Sequence, residues 1–485
     1  APDPPPSDEV AQLEPAAAEP RPASEVEDLP KVTSVGYLTW IRKAPRMDER
    51  EYLGYVRVGN RVPLRSKELV TGSGCPGGFY QAAPHGFVCR DRTVSESPGA
   101  EFEAAAAASR GGGGPLPYRF AISNGTPAYN RIPTSKEQER YERYLGKPGT
   151  VEPLPKTLRS HEELAKTDRI CPSSDLPAFF AYRASPKRQP FDLVDQTIFR
   201  GSLVSFQTTF EAEGRTFAML SDHTLVPADR LRPFRPSTFR GVDLAAGEAE
   251  LPLAFLRFSD KPAFVRAQDG SFAELPEKLA VRSWLGLTGR SERAGEVTYL
   301  ETTREHDRGR IYLREPDATI ASAEPELMPG TDTDVRWFLI RITQGTLVAY
   351  EGKRPVYATL VSPGVGGVPV KGRDPVKDST TPLGTYTITF KDRAATMSPE
   401  KGKNRSFFAA DVPHIQYFNP PFALHAAYWH ERFGELVSAG CINLSPIDAE
   451  RLFGWSEPKV PPVWQGATGA GARDNGKASL VVVRR

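Results

Sequence analysis

A lone cysteine in a turn of small residues, Ser438-Ala439-Gly440-Cys441, follows two histidines, His425 and His430, by sixteen and eleven residues. A thiolate within reach of an imidazole suits acyl transfer, because sulfur can form and then release a thioester. An unperturbed cysteine titrates near pH ~8.5, so a nucleophile needs a base or donors that favour its thiolate. Gly440 puts no side chain beside the sulfur, which lets a carbonyl approach and leaves backbone amides as candidate oxyanion donors. Ser438 can brace the turn or donate a hydrogen bond. In the following SPIDAE, Ser445 is placed to cap a helix starting at Pro446, with Asp448 in its first turn. The cysteine then lies on the connection before that helix.

Spacing alone leaves other readings open. A buried structural cysteine with two surface histidines fits equally well. His425 and His430 are five apart, so on one strand they project from different faces and need not cooperate. Two histidines and one cysteine lack the paired cysteines of a zinc motif, and no metal or other cofactor is expected. Ser438 has no independent base for a serine mechanism. No phosphate-binding glycine loop, nucleotide fingerprint or paired-carboxylate motif competes.

The segment from His425 to Asn443, HAAYWHERFGELVSAGCIN, resembles the active-site segment of the YkuD-type L,D-transpeptidases. There an upstream histidine precedes a Ser/Thr-His-Gly-Cys-apolar-Asn/Arg motif. Supporting likeness runs over residues 332–485, in AYEG, LVSPG, TPLGTYTI, the YF pair containing Tyr417, and LSPIDAERLFGW. The resemblance implies that Cys441 is the nucleophile and His425 its base, with the Ala426 carbonyl orienting the imidazole. Amides near Gly440 and Cys441 would receive the oxyanion. Ser438, Asn443, His430 and Tyr417 are the supporting or substrate-binding candidates.

The implied reaction is two-step acyl transfer on peptidoglycan stem peptides through a thioester. The acceptor is a second stem peptide, an envelope protein or, for carboxypeptidase activity, water. Ala439 departs from the family, which carries histidine there. It is not the position matched to the base. A His430 folded towards the sulfur would partly compensate, and a surface role is its alternative. The alternative function is a cell-wall-binding or scaffold protein with a degenerate site.

These residues need a scaffold, and 485 residues suffice for several domains. Basic and acidic residues nearly cancel, 62 against 60, which argues against a nucleic-acid partner. No apolar run is long enough for a transmembrane helix. The expected fold is mainly β and multidomain. Residues 1–32, rich in Pro, Ala and acid, read as a disordered tether, and residues 33–95 as an SH3-like β domain. Residues 96–189 read as a low-complexity linker with short helices, one near SHEELAKTDR, and 190–325 as one or two accessory β modules. Residues 332–485 form the β-rich catalytic domain, with one helix after Pro446 and KASLVVVRR as its closing strand. Cys75 and Cys89 flank a glycine-rich turn and are expected to form a disulfide, Cys171 has no obvious partner, and Cys441 stays free. Together with the stalk, the resemblance implies export to the periplasm or cell envelope.

Overall fold

A computed structural model describes residues 29–485 except 49–50, 152, 184–191, 329, 331–332, 399–406 and 470–477. Nearly all of the expected tether lies outside the described residues. The chain is mainly β and is built from several sheets.

In the C-terminal region, the apolar runs RWFLIR and TLVAYE form a hairpin, Arg336–Arg341 with Thr346–Glu351, and Arg354–Leu360 joins it antiparallel. Leu480–Arg484 runs parallel to Arg336–Arg341 and pairs on its other side with Gly384–Thr387. Val481, Val482 and Val483 are all buried, as a continuous apolar strand covered on both faces requires. The helix Pro446–Trp455 begins where expected, with the Ser445 hydroxyl accepting the Asp448 N–H. It packs Ala449 and Leu452 against Phe338, Leu347, Leu424 and Ile442. Its buried Asp448 carboxylate accepts bonds from the Gly241 amide and the Tyr357 and Thr359 hydroxyls, fastening helix to sheet.

The second sheet of this region holds His425 and Asn443. Phe390–Met397 pairs with Ala409–Asn419, which pairs with Phe422–Ala426, which runs parallel to Ile442–Leu444. This sheet crosses the expected domain boundaries. Its strand Phe390–Met397 pairs with Gly466–Thr468, which pairs in turn with Gly54–Tyr55 of the N-terminal unit. Leu203 pairs with Ala409. Buried Asp411 ties these parts together: it accepts from Arg57 at 2.7 Å and from the Ser205 and Ser221 hydroxyls, both at 2.5 Å.

The N-terminal unit consists of short strands between Lys31 and Ser95 around Val32, Ile41, Val56, Val62 and Val88. That arrangement is compatible with the SH3-like reading, and Trp464 from the far end of the chain completes its core. Cys75 and Cys89 are joined by a disulfide, whereas Cys171 and Cys441 are free.

Three expectations change. Arg119–Ser123 and Thr126–Tyr129, read with the 96–189 linker, are strands paired with Leu203–Ala212 and Val194–Ile198. Runs this short, set among glycine and proline, carry too little periodicity to stand out. The helix expected near SHEELAKTDR is a 3-10 segment, Lys156–Glu162. The accessory region resolves into two units: a sheet that includes the linker strands, and a seven-stranded sheet between Leu253 and Ala321. Val242–Asp243 instead extends the first C-terminal sheet beside Arg354–Leu360. Among the described residues no helix is long and apolar enough to cross a membrane.

Candidate active site

Two adjacent strands create the site. Phe422–Ala426 and Ile442–Leu444 run parallel with His425 opposite Asn443. Extending that register by one pleat puts Cys441 opposite Ala423, on the same face as His425. Cys441 is partly exposed, yet the surrounding protein desolvates its sulfur and pushes the thiol up to about 11. A hydrogen bond from the Ala423 backbone opposes that shift. Ala423 had no signal in the sequence, because its contribution is a backbone amide brought to the sulfur by strand pairing.

His425 is buried, and its Nδ1 lies 3.0 Å from the Ala426 carbonyl. A carbonyl only accepts, so Nδ1 carries the ring proton and Nε2 is the basic nitrogen. Burial pushes the imidazole down to about 4, so it is neutral around pH 7. Around pH 7 the imidazole is therefore neutral and the cysteine a thiol.

His430 corrects the expectation of a surface role. It is fully buried past the strand's end at Ala426, with its ring centroid 6.0 Å from that of Trp429 and 5.3 Å from that of Phe433. These apolar rings fold the loop inwards. Its Nδ1 accepts the Arg432 N–H at 3.2 Å, and its Nε2 lies 3.0 Å from the Asn443 amide group. With Nδ1 accepting, the neutral ring bears its proton on Nε2, so Asn443 meets it through its carbonyl oxygen. That orientation also gives a partner to a buried oxygen otherwise without one. Burial pushes His430 down to about 3. It supports Asn443 and carries no proton to spare.

The cysteine turn is closed by Ser438, which accepts the Gly440 N–H at 3.0 Å and donates to the Cys441 carbonyl at 2.5 Å. The Gly440 amide, expected to receive an oxyanion, is therefore engaged within the turn, and that expectation now rests on the Cys441 amide. Gly440 has φ +126°, and a Cβ there would lie 2.5 Å from the Phe422 ring. Only glycine fits. Neighbouring loops hold the turn from outside. Ser362 and Asn443 exchange backbone bonds, and the Val365 N–H donates to the Ser438 carbonyl. The Thr381 hydroxyl accepts the Gly364 N–H and donates to the Gly440 carbonyl. LVSPG and TPLG thus act as the brace, a role that the sequence reading did not assign to their individual residues. Ala439 is exposed, so a missing imidazole leaves no buried gap.

Tyr417 is half-buried opposite Ala423, two strands from the cysteine. Burial, then the nearby Asp392 and Cys441, push its hydroxyl up to about 12, so it remains a neutral donor. Among the described residues no group of three or more His, Cys, Asp or Glu is arranged to hold a metal ion.

Residues 335–464 match the family model for the YkuD L,D-transpeptidase catalytic domain. No curated protein matches the chain closely enough to count as a relative. Similar solved structures include the catalytic domain of the E. faecium L,D-transpeptidase, at 16% identity over 32% of this chain and 100% of that chain, TM-score 0.22. The L,D-transpeptidase from Stackebrandtia nassauensis is 21% identical over 32% of this chain and 58% of that one, TM-score 0.21. L,D-transpeptidase 3 from Mycobacterium tuberculosis is 14% identical over 41% of this chain and 94% of that one, TM-score 0.22.

Proposed function

Because residues 335–464 form an L,D-transpeptidase catalytic domain of the YkuD type, we propose that the protein is a cysteine acyltransferase acting on peptidoglycan stem peptides. What supports this reading is His425, opposite Asn443 on the strand beside the cysteine turn and with its Nδ1 facing the Ala426 carbonyl, together with the Ala423 backbone hydrogen bond at the Cys441 sulfur. Nε2 of His425 takes the thiol proton as sulfur attacks the carbonyl between an L-centre and a terminal D-residue. The Ala423 amide stabilises the sulfur charge as it forms. The C–N bond breaks, the departing amine takes the proton from His425, and a thioester remains on Cys441. An amine of a second stem peptide then attacks, giving up its proton to His425, and the thiolate leaves to recover that proton. An envelope protein or water would use the same step. A protein working on this substrate belongs in the periplasm or cell envelope.

The test is purified protein with disaccharide-tetrapeptide, read by mass spectrometry for loss of the terminal D-residue and for dimers. Cys441→Ala should abolish both while leaving thermal unfolding nearly unchanged. Turnover by that variant at the wild-type rate would end the assignment. The raised thiol pKa and the exposed alanine at 439 favour a second reading, a wall-binding scaffold. Stoichiometric acylation of Cys441 by a carbapenem argues against it, and a sulfur inert to both reagents would rule out the acyltransferase.

A further inference from the structure

The chain between the His425 strand and the Cys441 turn is walled in by both accessory units. From the first unit, Phe120 stacks on Tyr428 at 3.8 Å between ring centroids, and Phe234 lies 5.8 Å from the same ring. The Leu164 N–H donates to the Trp429 carbonyl, from a segment that bridges Ala165 to Phe234. From the second unit, Arg257 donates to the Gly434 carbonyl at 3.0 Å. Between these contacts lies Glu431, 6% exposed. Its Oε2 accepts from Arg235, just past the strand Leu231–Pro233 of the first unit, at 2.7 Å. The same oxygen accepts at 3.2 Å from Arg282, between the strands Phe272–Leu279 and Trp284–Ala294 of the second. The Glu431 N–H donates to the Glu163 carboxylate at 3.1 Å. One buried carboxylate oxygen thus receives a guanidinium from each accessory unit.

A carboxylate taken out of water is costly unless charged donors meet it. Burial works against the Glu431 charge, but the bonds from Arg235 and Ser237, with Arg282 nearby, outweigh it and hold the carboxyl below its ordinary value. The charge is therefore present at neutral pH. On its inner side the same loop reaches the site. His430 precedes Glu431 in the chain and meets Asn443 through Nε2 at 3.0 Å. Arg432 follows it, and its carbonyl accepts the Ser362 hydroxyl at 2.7 Å. Ser362 exchanges backbone bonds with Asn443, and Asn443 stands opposite His425. A shift at Glu431 moves both of its neighbours, and each is bonded to the strand after Cys441 or to that strand's brace.

We propose that Glu431 is a positioning residue of the cysteine site: through it Arg235 and Arg282 of the two accessory units hold His430 on Asn443 and so keep Asn443 opposite His425. The proposal rests on the transpeptidase reading for its effect on rate, and it gives the accessory units a part in the reaction. Without the carboxylate, two guanidiniums would face each other beside the loop and repel.

The experiment uses the full chain with isotope-labelled histidine rings. The Nε2 proton of His430, buried and bonded to Asn443, should exchange slowly with solvent in the unaltered chain. Glu431→Ala and the double variant Arg235→Ala with Arg282→Ala should each speed that exchange about a hundredfold. Each should lower kcat on disaccharide-tetrapeptide about tenfold per folded protein, with KM changed by less than about twofold. Glu431→Gln, which keeps an acceptor oxygen, should recover most of both losses. The triple variant should lose no more than Glu431→Ala, since all three changes remove one shared contact. Unchanged exchange in the double variant overturns the hold. Faster exchange with kcat unaltered overturns the positioning role, and additive losses in the triple variant do so as well, because they indicate general damage. A chain that turns over nothing, yet whose variants exchange faster, would keep the hold and sink the transpeptidase reading.

Discussion

The turn that carries Cys441 and the loop that carries His430 are held by opposite means. The turn is knit by short hydrogen bonds between adjoining loops: Ser438 to Gly440, Thr381 to Gly440, and Val365 to Ser438. The loop depends on ion pairs that cross unit boundaries, from Arg235 and Arg282 to Glu431. Removing a partner there strands a charge, whereas removing a turn bond leaves only a polar group unmet. Chemistry and support should therefore fail separately, and substitutions can separate them.

The largest effect is expected at the chemical end. His425→Ala should lower kcat/KM about a thousandfold while leaving the slow exchange of the His430 ring proton intact. Because the neutral imidazole is the working form and burial holds it at about 4, wild-type turnover should fall as pH drops through about 4. Alkylation of Cys441 by iodoacetamide should rise with pH towards about 11, since only the thiolate reacts. An acid limb near the ordinary histidine value in the turnover profile would break this account.

At the junction, Arg57→Ala leaves buried Asp411 without its cation. The expected cost is about 3 kcal/mol in urea unfolding, as for a buried pair losing one partner. Turnover per folded protein should change little, because Asp411 lies outside both the loop and the turn. A loss as large as that of Glu431→Ala would mean that support of the site is not confined to the loop.

Gly440→Ala forces a side chain into the Phe422 ring at a positive φ. It should destabilise by about 2 kcal/mol and lower turnover about a hundredfold, with folding followed by the same urea titration. Ser438→Ala should be the mildest, at about 1 kcal/mol and a tenfold loss of turnover, because it opens the Cys441 turn without adding bulk. Ser438→Thr, which retains the hydroxyl, should recover most of the rate. A larger loss in Ser438→Ala than in Gly440→Ala would show that the hydroxyl does more than close the turn.

Local patterns were readable wherever bonding stays within a few residues. The helix cap at Ser445, the closing strand Leu480–Arg484, the Cys75–Cys89 loop and the strand break before Phe422 all follow from neighbouring residues. His430 was left open between the sulfur and the surface because a five-residue spacing was read along a strand that ends at Ala426. The Gly440 amide was misjudged because its partner is a hydroxyl two residues away, and either the turn or a substrate could have claimed it. Arg119–Ser123 and Thr126–Tyr129 were hidden in a glycine- and proline-rich context, since such short strands are stabilised by partners far along the chain.

What the sequence determined by itself is the identity and order of the reactive groups: a free cysteine in a small-residue turn, an upstream histidine, and the helix that follows. Side-chain chemistry and short-range caps are properties of adjacent residues. Only the tertiary structure decided the ionisation and the neighbours of those groups. The burial that holds His425 at about 4 and Cys441 at about 11, the Ala423 amide at the sulfur, and the joining of Gly54–Tyr55 to Gly466–Thr468 all require segments to meet. Desolvation and strand register depend on the mass and the partner that surround a residue, and neither is written in its immediate neighbours.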